Sequence, residues 1–203
     1  MQIRELAIPD AYEITPKQFT DDRGLFLEWY RFDRLEETIG HSLDLKQGNT
    51  SVSRKGAVRG IHFADIPPSQ AKYVTAPSGA VLDFVVDIRV GSPTFGKWDS
   101  VLLDDRDRRA VYVAEGLGHC FVALTGDATV SYLVSDVYNP SHEHGINPLD
   151  ADIALTFPAE AGELLLSPKD TDAPGLVQAA ESGLLPTWEQ ARAYYASLND
   201  GGE

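Results

Sequence analysis

Residues 81–90 read V-L-D-F-V-V-D-I-R-V. In an extended chain Leu82, Phe84, Val86, Ile88 and Val90 share one face, while Asp83, Asp87 and Arg89 lie on the other. The G-S-P-T-F-G that follows is a turn. K-W-D-S-V-L-L, A-V-Y-V, C-F-V-A-L and T-V-S-Y-L-V-S are further strands at roughly regular spacing, with turns such as L-D-D-R-D-R-R and T-G-D-A between them. Many short strands with turn signals point to a mainly β chain, a sandwich or barrel of the jelly-roll type. With 203 residues and no repeat, low-complexity tract or flexible linker, a single domain over residues 1–203 is expected.

Helix signals are few. D-R-L-E-E-T-I-G offers Asp33 as N-cap, Glu36 three residues on and Gly40 as a stop. Near the C-terminus Thr187 and Gln190 form a capping box, and Trp188, Ala191, Tyr195 and Leu198 recur at helical spacing. E-S-G-L-L-P closes another short helical turn, and the final N-D-G-G-E is expected to fray.

The formal net charge of −14 argues against a nucleic-acid backbone or an anionic membrane as partner. It leaves room for a small anionic ligand held by a local cluster of Arg and Lys. Cys120 is the only cysteine, so no intramolecular disulfide forms, and its apolar setting H-C-F-V-A-L reads as a buried, inert thiol. No signal-peptide pattern is seen, and no run approaches the roughly 18 apolar residues of a membrane span. A cytoplasmic location is expected.

The stretch Val58–Val74 carries Arg59, His62 and Lys72 on two apolar runs separated by Pro67 and Pro68. Read as a hairpin centred near Pro67, it sets His62 opposite Lys72, and a neighbouring ammonium favours the neutral, proton-accepting imidazole. Strict alternation puts Arg59 on the opposite face from His62; a bulge at Gly60 would bring it round. The plainer reading has two rim cations and a half-buried histidine. Tyr132, with Val130 and Val134 on its face, fits a core aromatic as well as a functional phenol, and His119, after E-G-L-G, fits a turn residue with a backbone partner.

A metal site is not expected. The histidines are His41, His62, His119, His142 and His144, and the one close pair, H-E-H, sits in a polar, turn-like segment. Neither a phosphate-binding loop nor a dinucleotide fingerprint is present.

Eight motifs occur in order: D-R-G-L-F-L-E, Q-G-N-T-S-V-S, V-R-G-I-H-F, Q-A-K-Y-V, D-I-R-V-G-S-P-T-F-G-K-W, G-L-G-H-C-F, Y-L-V-S-D-V-Y-N-P-S-H-E and L-S-P-K-D. Together, from the N-terminus to about Leu185, they resemble the dTDP-4-dehydrorhamnose 3,5-epimerase family. The resemblance implies a metal-free, cupin-like jelly-roll β-barrel with a few short peripheral helices, including a C-terminal one. It implies a homodimer with no cofactor, acting on a dTDP-linked 4-keto-6-deoxyhexose whose own ketone acidifies the proton to be removed.

The resemblance also assigns roles. His62 matches the general base, Asp170 the carboxylate that orients it, Tyr132 the acid on the opposite ring face, and Lys72 the cation at the enolate oxygen. Arg59, Arg23 and His119 match contacts to the diphosphate and nearby oxygens. Glu28, Gln47 and Asn49 match nucleotide-binding positions, with Arg23 and Glu28 contributed by the partner subunit. Tyr138 matches a residue stacked on thymine, and Glu143 and Lys169 match further binding positions. The family includes enzymes that invert only carbon 3 or only carbon 5. The double epimerase is the main expectation, with a monoepimerase as alternative and a sugar-nucleotide ketoisomerase behind it.

Overall fold

The computed structural model describes residues 1–200. In chain order the strands are β1 (Gln2–Glu5), β2 (Ala11–Thr15), β3 (Gln18–Asp21), β4 (Gly24–Leu27), β5 (Gln47–Ser53), β6 (Val58–Ala64), β7 (Lys72–Ser78), β8 (Ala80–Val86), β9 (Trp98–Asp104), β10 (Ala110–Val113), β11 (Gly118–Ala123), β12 (Ala128–Val134) and β13 (Glu143–Gly145). The α-helices are α1 (Phe32–Ile39), α2 (Pro168–Thr171), α3 (Leu176–Glu181) and α4 (Trp188–Asp200). A six-stranded sheet in the order β1-β2-β10-β7-β12-β5 accompanies a five-stranded sheet in the order β13-β6-β11-β8-β9, and β3-β4 stands apart as a hairpin. The mainly β jelly-roll with short helices is therefore as expected. No helix among the described residues is long and apolar enough to cross a membrane.

The alternation of β8 has two buried faces. Val81 and Val85 join Val74, Val111 and Val130 of the other sheet in one buried cluster. Phe84 and Val86 join Ile61, Val122 and, from the C-terminal segment, Ile146, Leu176 and Leu185 in a second. Burying both faces explains why the strand is apolar almost throughout.

The strand ends at Val86, four residues before the alternating pattern does. Asp87 and Arg89 do not form an outer face; they are fully buried and bonded to each other at 2.9 Å. Ser92 Oγ and Thr94 Oγ1 donate to Asp87 at 2.6 Å each, Arg89 reaches Asp10 at 2.7 Å, and its guanidinium lies 4.5 Å from the Trp188 ring centroid. A buried ion pair is tolerated only when its remaining polar atoms are satisfied. The chain leaves the ladder here to supply those partners. The D-I-R-V-G-S-P-T motif thus ties the N-terminal segment and α4 to the barrel.

Two helix expectations divide. Thr187 and Gln190 cap α4 reciprocally, Thr187 N to Gln190 Oε1 at 2.8 Å and Gln190 N to Thr187 Oγ1 at 3.1 Å. Asp33, however, is not an N-cap. α1 begins at Phe32, Arg31 occupies the cap position without a side-chain cap bond, and Asp33 instead pairs with Arg31 at 2.6 Å. Gly40 ends α1 in the left-handed region, φ 85°. Of the C-terminal stretch expected to fray, Asn199 and Asp200 belong to α4, and Gly201–Glu203 lie outside the described residues.

The expected hairpin between Arg59 and Lys72 does not form. β6 pairs with β11 and β13, while β7 pairs with β10 and β12 in the other sheet. The Pro67–Pro68 segment carries the chain between sheets. His62 is therefore opposite His119 and Gly145 rather than Lys72.

Candidate active site

A cavity of about 470 Å³ opens between the two sheets. Arg59, His62 and His119 line it from the five-stranded sheet; Ser51, Lys72 and Tyr132 line it from the six-stranded sheet; Lys169 and Asp170 close one side. The base and the phenol expected to act on opposite ring faces thus stand on opposite walls. Lys72 is opposed by Val134, and Tyr132 by Val74, so Lys72 and Tyr132 share one face as diagonal neighbours.

The expected bulge at Gly60 is present. Arg59 pairs with Phe121 and His62 with His119, so three steps along β6 match two along β11. The extra residue brings Arg59 onto the face of His62. Gly60 adopts φ 128°, and an added Cβ would lie 2.5 Å from the His119 carbonyl oxygen and 2.6 Å from Cys120 Cα. Only glycine fits there. Arg59 Nε donates to Ser53 Oγ at 3.1 Å, which steadies the guanidinium at the cavity.

His62 Nε2 lies 2.7 Å from Asp170 Oδ1, leaving Nδ1 without a protein hydrogen bond among the described residues. Asp170 is buried in α2, where Ser167 is the N-cap; Ser167 Oγ donates to Asp170 Oδ2 at 2.8 Å and accepts from Asp170 N at 3.2 Å. Burial opposes ionisation of Asp170. The hydrogen bonds from His62 and Ser167 outweigh it, and the carboxyl sits below its ordinary range.

A second pair stands beside the first. His119 Nε2 is 2.8 Å from Oδ2 of the fully buried Asp83, whose Oδ1 has no partner among the described residues. Burial raises the Asp83 carboxyl, with His119 and Lys72 pulling the other way. His119 is thus neither a turn residue nor a backbone partner. Burial lowers Lys72, against the opposing charges of Glu143 and Asp83. Burial and Glu143 raise Tyr132, with Arg59 opposing, so the phenol stays protonated. Cys120 is buried with its thiol pushed well up, and nothing activates it.

The remaining expected residues lie outside the cavity lining. Gln47 Nε2 donates to Asn49 Oδ1 at 2.7 Å, and Tyr138 N donates to Gln47 Oε1 at 3.0 Å, leaving the Tyr138 ring exposed. Glu143 lines an adjacent groove with Gln70 and Asp136. Arg23 and Glu28 are exposed on and just after the β3–β4 hairpin, paired with Asp21 at 2.6 Å and Arg31 at 3.1 Å. The H-E-H segment is only partly a turn: His142 ends one, while Glu143–Gly145 forms edge strand β13.

Sequence reading missed Asp83, Ser51 and Ser167. A charge on the inward face of an otherwise apolar strand marks Asp83. The alternation Gln47, Asn49, Ser51 continues a polar row along β5. S-P-K-D has the S-x-x-D spacing of a helix N-cap.

A protein-family model described as dTDP-4-dehydrorhamnose 3,5-epimerase matches residues 5–178. The chain is 54% identical over 198 residues to the dTDP-4-dehydrorhamnose 3,5-epimerase of Mycolicibacterium smegmatis, covering 98% of this chain and 97% of that protein. Its fold superposes on the rmlC epimerase of Mycobacterium tuberculosis with TM-score 0.95 and 52% identity, over 98% of this chain and 100% of that one. It superposes on ChmJ, a 3'-monoepimerase from Streptomyces bikiniensis in complex with dTDP-quinovose, with TM-score 0.93 and 44% identity, over 96% and 98% of the two chains.

Proposed function

Since this chain belongs to the dTDP-4-dehydrorhamnose 3,5-epimerase family, we propose that it epimerises a dTDP-4-keto-6-deoxyhexose at carbons 3 and 5, and that the cavity between its sheets is where it does so. The observation that carries the site is the placement of His62 and Tyr132 on opposite walls of one cavity. Epimerisation needs a proton removed from one face of a ring carbon and another delivered to the opposite face.

Each inversion then runs in two balanced steps. His62 takes the proton from the carbon next to the ketone, and the C–H electron pair moves into the new C=C bond while the ketone oxygen gains negative charge. Asp170 supports the imidazolium that results. Lys72 meets the enolate oxygen with a charge the ground state does not need, which lowers the barrier rather than merely binding substrate. The enolate then collapses to the ketone as the carbon takes the Tyr132 proton from the other wall. The imidazolium and phenolate return to their starting states by exchange with solvent.

Arg59, His119 and Lys169 are suited to the diphosphate and nearby oxygens. Gln47, Asn49, Glu143 and the exposed Tyr138 ring extend the site toward a nucleotide. Arg23 and Glu28 do not line the cavity between the sheets of their own chain. Their place by a hairpin that exposes Phe19 and Phe26 fits a homodimer in which the hairpin completes the partner's site.

The likeness to a 3'-monoepimerase favours, as second reading, inversion at one carbon. Incubation with dTDP-4-keto-6-deoxyglucose in deuterated water, followed by NMR of the sugar ring, decides between them. Deuterium and inversion at carbons 3 and 5 is the expected result. Label and inversion at one carbon makes the enzyme a monoepimerase. No label at either carbon, with dTDP binding intact, overturns the reaction class.

A further inference from the structure

Glu143 is flanked in the chain by two histidines, and a single carboxylate holds both. Asp65 Oδ2 lies 3.1 Å from His142 Nδ1, and its Oδ1 lies 2.8 Å from His144 Nε2. The Asp65 backbone N–H also donates to the His142 carbonyl at 3.0 Å. His144 packs on the Phe63 ring at 5.5 Å between centroids. These contacts sit on the outer face of the five-stranded sheet. The register shows why. Gly145 is opposite His62 and Glu143 opposite Ala64, and directly opposed residues share a face. Glu143 therefore stands on the cavity side with His62, while His144 stands with Phe63 on the other.

β13 has three residues and pairs only with β6 among the described strands. A strand this short at a sheet edge has few ladder bonds to keep it in place. Glu143 makes no ion pair of its own among the described residues, so its position is set by the strand that carries it.

We infer that Asp65 is a positioning residue: by clipping His142 and His144 from the outer face of the five-stranded sheet, it holds Glu143 on the opposite face, the one that carries His62, in the groove adjoining the cavity. The inference rests on the function proposed for that cavity. It gives the clip a catalytic consequence, because the Glu143 carboxylate helps keep Lys72 cationic against burial and Tyr132 protonated. The same clip steadies the 139–142 turn, where Asn139 Oδ1 accepts from Ser141 N at 3.1 Å, next to the exposed ring of Tyr138.

A partly exposed histidine–carboxylate contact adds little to global stability, so the effect is read locally and through Glu143. Steady-state kinetics of wild type, Asp65→Ala, Glu143→Gln and the double variant form a cycle, with hydrogen exchange at the Asp65 and Ile146 amides measured alongside. Asp65→Ala is expected to lower kcat/KM by about tenfold with Tm nearly unchanged, and to add less than about twofold in the Glu143→Gln background. The Ile146 amide, bonded to Ile61 O at 2.9 Å, should exchange faster in Asp65→Ala. Asp65→Asn, which keeps one acceptor oxygen, should lie between. Equal losses in both backgrounds, or wild-type kinetics in Asp65→Ala, overturn the inference. If the wild type itself turns over no dTDP-4-keto sugar, the proposed function fails separately; unchanged Ile146 exchange in Asp65→Ala would then still overturn the clip.

Discussion

His62 and His119 are directly opposed on neighbouring strands, and each gives its Nε2 to a carboxylate of its own: Asp170 at 2.7 Å and Asp83 at 2.8 Å. His62 and His119 thus stand side by side on one wall of the cavity, each bonded to its own carboxylate. Their carboxylates differ. Asp170 belongs to a capped helical turn and is held ionised by hydrogen bonds, whereas Asp83 is sealed inside a strand with one oxygen unpartnered among the described residues.

The second pair predicts a cost for removing its charge. Asp83→Asn keeps the shape but replaces a charge-assisted bond with a neutral one, and kcat/KM should fall by about 10–100-fold. Kinetics on protein with an unchanged circular dichroism spectrum measure this. A variant with full activity would show that His119 needs no carboxylate behind it.

Tyr132→Phe removes the proton donor on the six-stranded wall and leaves His62 in place. Inversion should fall more than hydrogen–deuterium exchange at the same carbon, because His62 can still remove and return a proton on its own side. NMR of the sugar in deuterated water reads both. Equal loss of exchange and inversion would count against Tyr132 as the opposite-face acid.

Gly60→Ala should dismantle the bulge. The new methyl would sit 2.5 Å from a carbonyl oxygen at φ 128°, and the strain alone is on the order of 1–3 kcal/mol. A Tm well below wild type is expected, with turnover lost because Arg59 and His119 lie on either side of the displaced contact. A wild-type melting curve would mean that β6 relaxes easily.

Glu115 predicts a pH-dependent stability. Burial pushes its carboxyl up to about 7, against a bond from its own backbone N–H and helped by the charge of Asp10; Oε2 has no partner among the described residues. The folded chain keeps a proton that the unfolded chain has released above about 4.5. The contribution of Glu115 to stability therefore falls as pH rises from there to about 7, by about 3 kcal/mol in all. Glu115→Gln removes that dependence. Its Tm advantage over wild type should grow between pH 5 and pH 8, and a constant difference would refute the assignment.

Local features were legible where the controlling contact is close in the chain. The Thr187–Gln190 box works because the reciprocal partners are three residues apart. The Gly60 bulge follows from the need to place Arg59 and His62 together, and the structure meets it with the one residue type that tolerates the approach. Asp33 misled because an acid in a first turn looks like a cap, and here an adjacent arginine takes it.

By itself the sequence determined that the chain is a mainly β barrel and, through its ordered motifs, that its family is one of sugar-nucleotide epimerases. Only the tertiary structure decided which strands share a sheet. Alternation of period two marks a strand but carries no sign for inside or outside when both faces are buried, as in β8. Strand pairing joins residues far apart in the chain, so nothing local to Pro67–Pro68 distinguishes a hairpin from a crossing between sheets. That crossing puts His62 on one wall and Lys72 with Tyr132 on the other. The pairing of β8 with β11 sets Asp83 beside His119, and that of β6 with β13 sets Asp65 behind the strand of Glu143, where no spacing in the sequence announces them.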